Sequence, residues 1–243
     1  MGSDFWWSTE EIGLLQKNYN SLSTKQLLDL FPDRSWRAIT QKASRMKLSR
    51  NKVVPSLEPS EALAYIVGVL KGDGWISGYK IGLNVVSQRF ANNFASALQS
   101  IGLSSFVGRK PTPYRLQYRA GASSKMFTEW YRKLSLDSIK KMLRTERLKT
   151  AFLRGFYESE GSVWLDKRRP SNYYCLGIYN TDVALLNMVV EFSVDIGFPQ
   201  KPLTVIRKRD LPYKTEYAYR LNGAKAQAFI SKIQPSIKAR PNE

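Results

Sequence analysis

The stretches IVGVLKGDG (66–74) and LRGFYESEG (153–161) share one form: mostly apolar helical sequence with paired small residues, and a carboxylate just before a terminal glycine. The small residues are Gly68 and Gly72 in the first, Gly155 and Ser159 in the second, and the acids that follow are Asp73 and Glu160. Residues four apart share one face of a helix. Glycine inside a helix costs about 0.5–1 kcal/mol relative to alanine, so two on one face imply a return, and close approach of another backbone is the usual one. Two such helices packed side by side would bring both carboxylates to one end of the pair. Like charges that close repel unless a divalent cation sits with them.

The sequence around the two stretches is also duplicated. The first is followed by a strand pattern (80–87), a helix with Phe90, Phe94, Leu98 and Ile101 on one face closed by Gly102, then two strands (105–110, 114–120). The second is followed by a strand (173–179), a helix from Asp182 with Leu185, Leu186, Val189, Val190 and Phe192 closed by Gly197, then strands at 204–208 and 216–221. A final helix follows in each. The order is αββαββα twice, with Asp73 and Glu160 87 positions apart, the signature of a pseudo-twofold pair of sheets.

At the two stretches the chain resembles the LAGLIDADG homing endonucleases in their single-chain, two-motif form. It departs from that pattern at Lys71, where the motif has an acid; the second copy has Glu158 there. The resemblance runs from about Glu61 to near the C terminus. It implies an α+β fold in which two αββαββα repeats (61–147 and 148–243) form a saddle of two antiparallel sheets.

Upstream, 1–52 reads as a small all-α tri-helical domain and 53–60 as a linker. Ser8 and Glu11 form a capping box ahead of Ile12, Leu15 and Tyr19; Ser23 caps a segment that Pro32 ends; Ser35 caps a helix with Trp36, Ile39, Ala43 and Met46 as its apolar stripe. W-S-T-E-E and S-W-R-A-I resemble Myb or SANT-like domains of helix-turn-helix type. Arg37, Thr40, Gln41, Ser44 and Arg45 fall on the outer face of the third helix, able to bond base edges or phosphates.

Composition narrows the chemistry. The net charge is +18, with nine basic and five acidic residues in 1–52 and 29 and 15 in the rest, so the excess is spread over the chain. A polyanion is the partner that such self-repulsion suits, and double-stranded DNA is the first candidate. The lone Cys175 cannot form an internal disulfide, and the absence of histidine removes imidazole zinc sites, histidine nucleases and triad hydrolases. No apolar run reaches a membrane span and no signal peptide is legible, so the expectation is an intracellular protein, in cytoplasm or organelle matrix, with no membrane partner.

Carboxylate and carbonyl oxygens select Mg²⁺, with Mn²⁺ able to substitute. Asp73 and Glu160 are the expected ligands: a carboxylate at a helix C-terminus is disfavoured by about 0.3–1 kcal/mol, and two at homologous ends argue for a counter-cation. The resemblance adds the backbone carbonyls of Gly72 and Ser159 as ligands, and places Gln88 and Arg89 near the cleavage centre, where they would order water and stabilise phosphate charge. The second copy has Asn180 and Thr181 there, and Lys238 or Arg240 would compensate.

For DNA contact, Arg115, Gln117 and Arg119 alternate with Tyr114, Leu116, Tyr118 and Ala120, and so face outward from a half-buried strand. Arg reads guanine and Gln adenine bidentately. Arg220 stands where Arg119 does, but Glu216 and Ala218 replace Arg115 and Gln117, so the halves would read different bases. The expectation is a monomeric Mg²⁺-dependent double-strand DNA endonuclease, without an obligate protein partner. The resemblance further implies a long asymmetric target and 3′ overhangs. The alternatives are an intron RNA maturase, with RNA as partner, or a DNA-binding transcription regulator on the same fold.

Overall fold

The computed structural model describes residues 6–22, 24–48, 54–168, 173–207 and 214–241. The expected cap at Ser23, the strand end at Lys208 and the first residue of the expected linker, Val53, lie outside these. The chain divides into two compact units, Met1–Val53 and Val54–Glu243.

The first unit holds α1 (Thr9–Asn18), α2 (Thr24–Leu30) and α3 (Trp36–Arg45). Ser8 and Glu11 form the reciprocal capping box, and Ser35 accepts from Ala38 N at the start of α3. Leu15, Tyr19, Leu27, Phe31, Ile39 and Ala43 make a small core. Arg34 closes its rim: Nε donates to Glu11 Oε1 at 2.9 Å, and the guanidinium lies 4.9 Å from the Trp7 ring. That hydrogen bond, then the one from Ser8, holds the Glu11 carboxyl below its ordinary range.

The second unit begins with α4 (Glu61–Lys71), β1 (Trp75–Ser77), β2 (Lys80–Val85), α5 (Gln88–Ser100), β3 (Ser105–Pro111), β4 (Leu116–Ser123), α6 (Lys125–Arg132) and α7 (Leu136–Met142). It repeats the order with α8 (Glu146–Glu160), β5 (Gly161–Leu165), β6 (Tyr174–Asn180), α9 (Val183–Asp195), β7 (Thr204–Arg207), β8 (Glu216–Asn222) and α10 (Ala224–Ile233). The result is two four-stranded antiparallel sheets, ordered β1-β2-β4-β3 and β5-β6-β8-β7, with helices against them. This is the α+β architecture of paired repeats expected from the sequence. Gly102 and Gly197, at φ +87° and +97°, let α5 and α9 end in the left-handed turn that glycine adopts without strain.

Helix α4 is buried all round from Leu63 to Leu70, because it faces two cores. Tyr65, Ile66, Val69 and Leu70 join the first-repeat core with Leu83, Phe90 and Phe94, while Ala64 and Val67 join the second with Phe152, Leu186 and Tyr219. Helix α7 is a departure from the single closing helix expected in each repeat: it follows α6 in the chain, yet its Ile139 and Leu143 pack in the second core. The strand expected at 114–120 is also shifted. It starts at Leu116, and Thr112 Oγ1 donates to the Arg115 carbonyl at 2.6 Å, which places Arg115 in the β3–β4 hairpin turn. Tyr114, expected on the buried face, is 96% exposed there.

Candidate functional site

The site is built on the contact of α4 with α8. A Cβ on Gly68 would lie 2.3 Å from the Phe152 carbonyl oxygen, and one on Gly155 would lie 2.4 Å from that of Tyr65. Glycine is therefore required at both positions for backbone to meet backbone. One turn on, a Cβ at Gly72 would lie 2.4 Å from Ser159 Cβ and 3.1 Å from Glu160 Cγ, so the helices remain in contact down to the acids.

Asp73 and Glu160 are thus brought to one end of the pair, close enough for Asp73 to act on the Glu160 carboxyl. Burial first and Asp73 second push the Glu160 carboxyl up to about 7; Glu216 adds in the same direction and Lys238 opposes. Asp73 keeps much of its surface in water, yet the protein around it raises its carboxyl above the ordinary range, against the pull of Lys238.

Lys238 comes from the segment after α10, and three successive residues of α8 grip that segment. Tyr157 Oη donates to the Lys238 carbonyl at 2.9 Å. Glu158, 1% exposed, accepts from Ser236 N and from Tyr65 Oη, each at 2.5 Å. Lys238 Nζ donates to the Ser159 carbonyl at 2.8 Å, the same carbonyl that the family resemblance assigns to a metal. Burial lowers the pKa of Lys238, while Asp73, Glu160 and Glu158 raise it.

The other expected residues take the following positions. Gln88 and Arg89 occupy the exposed first turn of α5, and Arg89 lines a cavity with Tyr65, Asn93, Arg154, Glu158 and Ser236, a set without Asp73 or Glu160. Asn180 Oδ1 accepts from Asp182 N at 2.8 Å, so its oxygen is committed to the turn before α9. Arg240 is exposed. In the first unit Arg37, Gln41 and Arg45 are exposed along α3 and line one depression with Trp7 and Lys42. The Thr40 hydroxyl shares its one proton between the Trp36 and Arg37 carbonyls, so toward a ligand it can act as an acceptor.

The outer faces of the two sheets repeat one device that strand alternation did not reveal. Register pairs Trp75, Gly82 and Gly121 across the first sheet, and a Cβ on Gly82 would lie 2.1 Å from the Trp75 ring, so glycine lets the indole lie flat. Arg119 lies over that ring at 5.1 Å, and Arg220 lies over Trp164 at 5.9 Å in the second sheet. Among the described residues both Nε atoms are buried without a hydrogen-bond partner, which leaves ligand contacts to the terminal nitrogens. Gln117 shares the Arg119 face.

No family model matches the sequence. It is 34% identical over 185 residues to the uncharacterized protein MJ0314 of Methanocaldococcus jannaschii, covering 73% of this chain and 69% of that protein. The chain belongs to the MJ0314 family. In structure, it is similar to the N-terminal LAGLIDADG domain of DUF199/WhiA, at 18% identity and a TM-score of 0.51 over 74% of this chain and 86% of that domain. It is also similar to a variant of the homing endonuclease I-DmoI solved with its target DNA in the presence of Mg, at 20% identity and a TM-score of 0.50 over 72% and 96% of the two chains. These likenesses show that this MJ0314-family chain has the LAGLIDADG fold. Among the described residues no helix is long and apolar enough to cross a membrane.

In the MJ0314-family chain without metal, the raised Glu160 carboxyl has a stability consequence. Between the ordinary 4.5 and about 7 the folded state holds a proton that the unfolded state has released. Stability from this group is therefore full at low pH and is lost as pH rises through that window. Thermal melts of the metal-free protein and its Glu160→Gln variant should diverge between pH 5 and 7, the variant gaining on the parent as pH rises. Parallel curves would show that this carboxyl titrates normally.

Proposed function

We propose that this protein is a metal-dependent, site-specific double-strand DNA endonuclease of the homing type, acting as a monomer on a long asymmetric target and leaving 3′ overhangs. The observation that carries this reading is the meeting of Asp73 and Glu160 at one end of a glycine-tight helix pair.

The residues present fit a hard divalent cation. The donors are all oxygen, and two carboxylates at one end of a close-packed helix pair repel each other unless a cation sits with them. Asp73, Glu160 and the Gly72 carbonyl would hold Mg²⁺ or Mn²⁺, with the Ser159 carbonyl available once Lys238 leaves it. Such an ion supplies Lewis acidity toward a phosphate oxygen and toward water.

The protein supplies position and selectivity. Arg119 and Gln117 on the first sheet, Arg115 on its hairpin and Arg220 on the second sheet are the proposed DNA contacts. Stacking on tryptophan fixes the two strand arginines before DNA arrives, which spares side-chain entropy on binding. Glu216 and Ala218 in place of Arg115 and Gln117 make the halves unequal readers. Gln88 and Arg89 keep the proposed role of ordering water and stabilising phosphate charge in cleavage, Asn180 and Arg240 are further proposed DNA contacts, and the first unit has a proposed helix-turn-helix role through Arg37, Gln41 and Arg45.

The test is cleavage of the uninterrupted gene that flanks its reading frame, with Mg²⁺ or Mn²⁺ and with chelator. Double-strand breaks that need the ion support the reading; binding without breaks in either metal leaves a regulator, and preference for intron RNA leaves a maturase. Deleting residues 1–53 should weaken DNA binding about tenfold or more and reduce the salt slope by about two to three, since each phosphate contact contributes about 0.9. Cleavage should persist at raised protein concentration. Its complete loss in a folded truncate would make the first unit part of the catalytic body.

A further inference from the structure

We propose that Lys238 is the resident counter-cation of the acid pair, occupying the cation's place in the metal-free protein and withdrawing when a divalent ion binds. The competition rests on the reading of Asp73 and Glu160 as a metal site; the counter-ion role does not.

The geometry behind this is the grip of α8 on the last segment. Tyr157, Glu158 and Ser159 follow one another along the helix, and each bonds a main-chain or side-chain group between Ser236 and Lys238. Ile237, between those two positions, packs on the first-repeat core. Lys238 itself has φ +56°, a backbone region that a lysine enters only under constraint. The segment is therefore held at the residue that carries the ammonium and at the two before it.

That fixed ammonium bonds the carbonyl of Ser159, the residue before Glu160, and so stands at the end of the helix pair where the acids lie, with no direct ion pair to either among the described residues. Two carboxylates at the end of a close-packed helix pair carry a repulsion that any metal-free state must offset. The fold supplies one ammonium here against Asp73, Glu160 and the neighbouring Glu158 and Glu216. The remaining deficit keeps the pair receptive to a divalent ion, and the ammonium must yield the Ser159 carbonyl for a full set of oxygen ligands to form. Arg240 is exposed and lacks this burial.

The experiment compares wild type, Lys238→Met, Lys238→Arg and Lys238→Met/Glu160→Gln by thermal melting in chelator and by calorimetric titration with Ca²⁺, without DNA. Lys238→Met should melt several degrees below wild type in chelator and bind Ca²⁺ about tenfold more tightly. Lys238→Arg should stay near wild type in melting, and the double variant should recover most of the loss. An unchanged melting temperature in Lys238→Met, or a loss that Glu160→Gln does not relieve, overturns the proposal, because either would leave Lys238 as a packing residue only. Weaker Ca²⁺ binding in Lys238→Met overturns the competition. If neither protein binds Ca²⁺, the metal reading of the acids fails, and the relief by Glu160→Gln decides the counter-ion role by itself.

Discussion

Asp73→Asn or Glu160→Gln should reduce strand cleavage about a thousandfold or more while leaving target affinity within a few fold. On the proposed reading each change, nearly isosteric, removes one negative charge from the pair that would share an ion, and with it the reaction's Lewis acid and little else. Several kcal/mol of transition-state stabilisation is at stake in such a site, and each 1.36 kcal/mol is a decade of rate. On the same reading binding is assigned to other residues, the sheet-face and hairpin side chains. It should even tighten slightly, since a carboxylate near a phosphate repels it. Plasmid cleavage with matched gel-shift titrations checks both halves. Full activity in either variant would remove that residue from the reaction. A parallel fall in affinity would mean that the substitution had damaged the fold or the DNA surface.

Gly68→Val and Gly155→Val should each destabilise the second unit by about 3 kcal/mol or more, enough to reduce soluble, cooperatively melting protein. Two effects of opposite sign compete here. Replacing a helical glycine by alanine gains about 0.5–1 kcal/mol of helix propensity, and this helps wherever space is open. Overpacking costs about 1–3 kcal/mol and more when nothing can give. At Gly68 the obstacle is the Phe152 carbonyl oxygen, 2.3 Å from the added Cβ, and at Gly155 it is that of Tyr65, at 2.4 Å. Both are backbone atoms inside helices, so no rotamer change relieves the clash and the cost wins. Gly13 in α1 reverses the sign: nothing lies within 4 Å of an added Cβ, and Gly13→Ala should raise the melting point of the first unit. Denaturant titration of the three variants measures this contrast. A Gly68→Val protein as stable as wild type would show that the helices do not meet through this glycine.

The duplicated architecture was legible because each of its signals is local. The four-residue spacing of Gly68 and Gly72, the apolar stripes of α5 and α9, and the caps at Ser8 and Ser35 each reflect the period of a helix or its end. What lay outside that reach was contact across the chain. Arg115 reads as part of an alternating strand, but Thr112 binds its carbonyl and holds it in the hairpin turn. Helix α7 reads as part of the first repeat, but its apolar side is spent on the second core. Arg119 reads as a free outward cation, but Trp75 and Phe106 take its guanidinium, at 5.1 and 6.0 Å. Lys71 reads as a gap in the motif; burial lowers its pKa while Asp182 of the other repeat opposes this.

By itself the sequence determined the paired repeats, the glycine seam, the basic character, and which two acids end the motifs, since composition and short-range periodicity are fixed before the chain folds. Only the tertiary structure decided what surrounds those acids. Lys238 comes to the Ser159 carbonyl, next to Glu160, because Tyr157, Glu158 and Ser159 hold its segment, and hydrogen bonds between residues far apart in the chain leave no periodic trace in the residues that form them.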